Sequence, residues 1–123
     1  MKAAVVGGSL AGLMTGIECS VAGVDVEIHE RSAGMLDDRG AGIVMQPETL
    51  QMLTQRCGLE EEETGVWLNY RQYLGPEGEP ATRQRMPQLM TSWGLLYRAL
   101  RSAFPAGRYY EGSPLTECTA SPS

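Results

Sequence analysis

A short apolar run, Lys2 to Val6, leads directly into Gly7-Gly8-Ser9-Leu10-Ala11-Gly12, and an apolar-striped segment follows at once. Few architectures use that order. A glycine-rich turn between a strand and a helix leaves backbone N–H groups unpaired at the helix N-terminus, where the helix dipole also favours an anion. Gly7 permits the tight turn, while Gly12 and Gly16 let the helix lie close on the strands. A second strand, Val24 to Ile28, runs out to Glu30, 18 residues beyond Gly12. An acidic residue roughly 20 residues past such glycines, at the tip of the second strand, is placed to accept hydrogen bonds from a ribose diol. The order predicts a dinucleotide-binding βαβ unit, with a pyrophosphate at residues Gly7, Gly8, Ser9, Leu10, Ala11 and Gly12. Ser9 departs from the pattern, because it replaces the second glycine and is not free at positive φ. The competing reading of these residues is a plain strand-to-helix turn with a solvated Glu30.

The remaining chain alternates helical and strand periods. Leu10, Leu13, Met14, Ile17 and Val21 form one stripe of a helix over residues 10–22, with Gly23 as its C′ residue. Val24, Val26 and Ile28 alternate with Asp25, Glu27 and His29, which is a strand pattern that makes His29 a partly solvated strand residue rather than a catalytic one. Residues 31–41 read as a polar loop. Gly40 to Met45 reads as a turn into a short apolar strand, and Pro47 suits the first position of a helix that Gly58 stops. Glu60 to Glu63 reads as a solvated loop. Val66 to Leu74 and Ala81 to Met86 flank the turn Gly75-Pro76-Glu77-Gly78 and form an antiparallel hairpin. Ser92 N-caps a helix whose stripe is Leu95, Leu96, Ala99, Leu100 and Ala103, and Pro105 ends it. Arg108 to Glu111 reads as one more short strand, and residues 116–123 as a frayed tail.

With 123 residues the chain holds one modest domain, and 42% apolar residues allow a core. A net charge of −5 with scattered basic residues argues against nucleic acid as a partner. Cys19, Cys57 and Cys118 share no metal-ligand spacing, and with the lone His29 they propose no metal site. Reduced thiols fit a cytoplasmic protein. The uncharged stretch 3–17 is interrupted by Gly7, Gly8 and Ser9, which argues against both a signal peptide and a membrane span.

Four blocks recur together: Gly7 to Leu13; His29-Glu30-Arg31-Ser32; Gly40-Ala41-Gly42-Ile43-Val44-Met45-Gln46-Pro47-Glu48; and Thr91-Ser92-Trp93 with Leu96-Tyr97-Arg98-Ala99-Leu100. In this combination the chain resembles the N-terminal part of FAD-dependent aromatic hydroxylases of the para-hydroxybenzoate hydroxylase fold, most strongly the 2,6-dihydroxypyridine 3-monooxygenase-like members. The resemblance covers residues 1 to about 112. It implies an α/β fold in which a Rossmann-like FAD-binding βαβ unit is joined to an antiparallel hairpin from a substrate-domain sheet, the whole being incomplete. Residues 1–60 would hold the βαβ unit and a following helix, 66–86 the hairpin, 92–112 a helix and strand returning to the FAD domain, and 113–123 the tail.

The resemblance further implies FAD as cofactor, with NADH or NADPH as co-substrate. Gly7 to Gly12 would hold the pyrophosphate, Glu30 the adenosine ribose, Arg31 the adenine side and Arg39 the flavin side. Gly40 to Ile43 would pass the flavin ring. Many members carry an arginine before the later helix that reaches FAD; Trp93 stands there, and Arg98 is either its substitute or an exposed helix arginine. The reaction implied is hydroxylation of a small aromatic or heteroaromatic ring, carried by the cofactor. No catalytic acid–base pair or nucleophile is visible. A homodimer is one option for a full-length form. Later family motifs are missing, so the chain reads as an N-terminal fragment that is inactive alone. The alternatives are a nicotinamide-dependent Rossmann oxidoreductase and a non-enzymatic nucleotide-binding remnant.

Overall fold

A computed structural model describes residues 1–34, 36 and 40–119. Strand β1 (Lys2–Val6) is followed by helix α1 (Leu10–Val21) and strand β2 (Asp25–His29). The two strands pair in parallel, from Lys2 opposite Asp25 to Val6 opposite His29. Alternation works as the residue pattern dictates: Val26 and Ile28 are buried, and Glu27 is exposed. Gly23 takes a φ of +80°, beyond the helix end. The stripe of α1 is shorter than expected. Leu13 and Ile17 are buried, but Val21, in the last turn, is 57% exposed.

Strand β3 (Gly42–Val44) enters helix α2 (Pro47–Arg56), with Pro47 in the first turn and Gly58 at a φ of +69° after the end. The glutamate run is not a loop. Helix α3 (Glu61–Thr64) is a single turn with a capping box between Glu60 and Glu63. Carboxylates at a helix start meet unpaired N–H groups and the positive end of the dipole, which offsets their mutual repulsion.

The hairpin consists of β4 (Val66–Leu74) and β5 (Pro80–Ser92), antiparallel. β5 runs well past the Met86 end expected from sequence. Leu68 faces Gln88 and Tyr70 faces Arg85, so Met86 and Pro87 together oppose Asn69. This bulge absorbs the missing proline N–H and lets the strand continue. Leu89 and Thr91 become buried, and β5 pairs with β3 on its other side. The sheet order is β3-β5-β4.

Ser92 caps helix α4 (Trp93–Ala103), its Oγ accepting the Leu95 N–H at 3.2 Å. A 3₁₀ turn (Ala106–Arg108) leads into β6 (Tyr109–Tyr110), which pairs in parallel with β2 and completes the order β1-β2-β6. The expected strand over residues 108–111 shrinks to these two tyrosines.

Two cores result. Leu13, Ile17, Val26, Ile28, Leu36, Tyr97, Leu100, Phe104 and Tyr109 pack under the parallel sheet, while Met45, Leu53, Leu89 and Leu96 pack against the antiparallel one. α4 supplies both, and Leu10 and Cys57 touch both. Leu100 is fully buried. Leu100→Ala removes its methyl groups and leaves a cavity, at a cost of about 2–5 kcal/mol. Against a typical total of about 5–15 kcal/mol, urea titration followed by circular dichroism is expected to show a sharply lowered midpoint.

Candidate functional site

The site lies at the carboxyl ends of β1 and β2, where parallel strands of this kind receive ligands. As the chain leaves β1, the Gly7 N–H donates to the His29 carbonyl at 2.8 Å. Gly7 has a φ of +102°, a conformation that strains any residue with a Cβ. The Gly8 N–H donates to Glu30 Oε2 at 2.8 Å. Ser9 is extended, with φ −78° and ψ −170°, so the replacement of the second glycine costs no backbone strain. Its side chain caps nothing, and its carbonyl accepts the Leu13 N–H at 2.9 Å, the first bond of α1. The N–H groups of Leu10, Ala11 and Gly12 therefore have no intrahelical acceptor. A Cβ on Gly12 would overlap the Gly7 carbonyl oxygen, and one on Gly16 would come within 2.7 Å of Ile28 Cδ1. Both glycines are fixed by close approach.

Glu30 is only 7% exposed. Its Oε1 accepts the Ser32 N–H at 2.8 Å, so each oxygen already holds one backbone donor. Burial alone would push the carboxyl up. The donors on Ser32 and Gly8, with the nearby charge of Arg31, more than offset this and hold it below the usual carboxylate range. The Glu30 backbone is fixed as well: its N–H donates to the Tyr110 carbonyl and its carbonyl accepts from Ser113, both at 2.8 Å.

Arg31 is exposed and lines a half-open groove of about 380 Å³ together with Val6, Gly7, His29, Glu30 and the segment 113–115. His29 stacks on Tyr110, with centroids 5.0 Å apart, and its Nδ1 lies 2.9 Å from Ser113 Oγ. Gly42 pairs with Ser92, and the Trp93 N–H donates to the Ala41 carbonyl at 3.0 Å. The Trp93 ring stacks on Tyr97 at 5.0 Å, and Arg98 is on the exposed side of α4. Arg39 lies outside the described residues. The structure thus brings Gly7, Glu30 and Arg31 together around one groove, with Gly8 tied to Glu30 and Ser9 to Gly12 following as the cap and first turn of α1.

Sequence reasoning missed Tyr109. Its hydroxyl donates to the Gly8 carbonyl at 2.9 Å, and its ring is buried beneath the turn. A two-residue strand carries too little periodicity to reveal that contact. Among the described residues, no cluster of His, Cys, Asp or Glu could hold a metal ion, and no helix is long and apolar enough to cross a membrane.

Residues 1–66 match the protein family described as FAD binding domain. The chain belongs to the FAD-binding-domain family. The match spans β1, the glycine turn, β2 and the second helix of this FAD-binding-domain chain. It is 34% identical over 110 residues to 2,6-dihydroxypyridine 3-monooxygenase of Paenarthrobacter nicotinovorans, an alignment covering 89% of this chain and 28% of that protein. The solved structure of 2,6-dihydroxypyridine-3-hydroxylase from Arthrobacter nicotinovorans superposes with a TM-score of 0.81 at 34% identity, over 90% of this chain and 28% of that one. Klebsiella pneumoniae HpxO, solved with FAD and uric acid, shares the fold at a TM-score of 0.75 and 21% identity, over 98% of this chain and 33% of its own. The chain thus spans about a third or less of these relatives.

The residues present suit the adenine-dinucleotide half of FAD. Nothing stands within 4 Å of the position a Cβ would take on Gly7, the first turn of α1 offers unpaired N–H donors, and Glu30 keeps lone pairs for hydroxyl donors beside the groove. Because the folded state depresses its pKa, Glu30 contributes stability that is present above the ordinary value of about 4.3 and is lost as pH falls through the lower folded value. Urea midpoints measured down the acid range for the parent and Glu30→Gln are expected to converge at low pH, with the parent gaining more as pH rises. Parallel curves would sever Glu30 from this contribution.

Proposed function

We propose that the chain is the FAD-binding part of a flavin-dependent monooxygenase that hydroxylates a small aromatic or heteroaromatic ring, such as a dihydroxypyridine, with NADH or NADPH and O₂. The observation that carries this reading is the glycine turn joined to Glu30 by the Gly8 hydrogen bond, in a chain of the FAD-binding-domain family. The 34% identity to a dihydroxypyridine monooxygenase supports the substrate class.

In this reading the N–H groups of the first turn of α1 meet the pyrophosphate, with Gly7 and Gly12 keeping the approach open. The Glu30 carboxylate accepts from the adenosine ribose, Arg31 borders the adenine, and Arg39 serves the flavin side. Bound FAD would supply the redox chemistry, taking a hydride from the nicotinamide and activating O₂. The protein's share is binding, orientation and exclusion of water. The β4–β5 hairpin belongs to the substrate side, and α4 with β6 returns the chain to the FAD side. Free Cys19, Cys57 and Cys118 suit a reducing, cytoplasmic setting.

Calorimetric titration of ADP and FAD into the chain tests the assignment. Glu30→Ala is expected to weaken ADP roughly ten- to a hundredfold, the loss of a charge-assisted hydrogen bond. Ser9→Leu is expected to block binding by crowding the turn, whereas Ser9→Gly is tolerated. Equal ADP affinities in the parent, Glu30→Ala and Ser9→Leu would place the nucleotide elsewhere. A colourless chain that takes up NADH but no FAD would overturn the flavin reading in favour of a nicotinamide-dependent oxidoreductase.

A further inference from the structure

Gly8 differs from its neighbours in why it must be glycine. Gly7 has a positive φ, but Gly8 does not, so a left-handed backbone is not what calls for glycine there. What excludes a side chain is Tyr109. A Cβ on Gly8 would overlap the Tyr109 hydroxyl and come within 2.5–2.7 Å of two ring carbons. The same hydroxyl donates to the Gly8 carbonyl at 2.9 Å.

Tyr109 is itself held on two sides. Its single hydroxyl hydrogen is directed to Gly8, so at 3.5 Å the buried Tyr97 hydroxyl acts as donor to Tyr109. The Arg101 guanidinium lies 3.8 Å from the ring centroid, on its face. Burial pushes the Tyr109 phenol well above its usual range, so it stays a donor.

The Gly8 carbonyl and the Ser9 N–H belong to one planar trans peptide and point in opposite directions. Fixing the carbonyl inward on Tyr109 therefore aims the Ser9 N–H away from the core. The Gly8 N–H, on the preceding peptide, is fixed in turn by Glu30.

We propose that Tyr109, backed by Tyr97 and Arg101, is a positioning residue that orients the Ser9 N–H toward the nucleotide phosphates, and that its ring is the reason position 8 is glycine. The proposal rests on the FAD-binding reading for its ligand, but the clamp itself does not.

Four variants of the chain decide it: Tyr109→Phe, Gly8→Ala, Tyr109→Val, and Gly8→Ala combined with Tyr109→Val, for which Tyr109→Val is the reference background. Urea midpoints, the Ser9 amide resonance and ADP affinity are the readouts. Tyr109→Phe keeps the ring and loses only the hydroxyl, so it is expected to shift the Ser9 amide and weaken ADP roughly three- to tenfold when compared at equal folded fraction. Gly8→Ala is expected to lower the urea midpoint strongly in the parent and much less in the Tyr109→Val background. An unchanged Ser9 amide in Tyr109→Phe, ADP affinity unaltered by that substitution, or a Gly8→Ala penalty of equal size in both backgrounds would overturn the proposal. A parent chain that binds no ADP sinks the nucleotide reading and the phosphate-facing role with it, while the urea cycle and the amide shift still decide whether Tyr109 clamps Gly8.

Discussion

The buried Glu30 carboxylate accepts the Gly8 and Ser32 N–H groups, and the geometry of the site follows from that pair of bonds. A carboxylate this far from water must be satisfied by donors or give up its charge. Here the donors are backbone groups, so the charge and the chain path fix each other. The glycine turn cannot shift without stripping a donor from the carboxylate, and β2 cannot slide against β1 without moving the carboxylate away from the turn. A short parallel pair of five-residue strands thereby holds a loop in register.

The rest of the architecture supports this point from below. α4 faces two ways, with Tyr97 and Leu100 under the parallel sheet and Leu96 under the antiparallel one. It is the shared wall that sets the two sheets relative to each other. The Glu18–Arg56 ion pair joins α1 to α2 at 2.7 Å, but both side chains are exposed enough that it contributes little.

What could be read from the residues alone was local. The βαβ order, the Ser92 cap and the proline start of α2 each depend on neighbours a few positions away, and the spacing of glycines and apolar residues records them. The features that escaped depend on partners elsewhere. Pro87 looks like the end of a strand until the opposite strand shows the bulge that accommodates it. The glutamate run looks like a repelling loop until Glu60 and Glu63 cap each other. Glu30 was identifiable from its spacing, but its two backbone donors were not. Tyr109 left no trace at all, because the residue it touches is 101 positions earlier.

That separation has a consequence for how the molecule acquires its shape. β1, α1 and β2 emerge early during synthesis, and their mutual contacts close short loops quickly. β6, with Tyr109, emerges after them. Until then the nascent turn has its carboxylate but lacks the hydroxyl beneath Gly8, so the ligand-facing loop reaches its final form only after α4 has packed. The order of assembly makes the loop a reporter on whether α4 and β6 have docked.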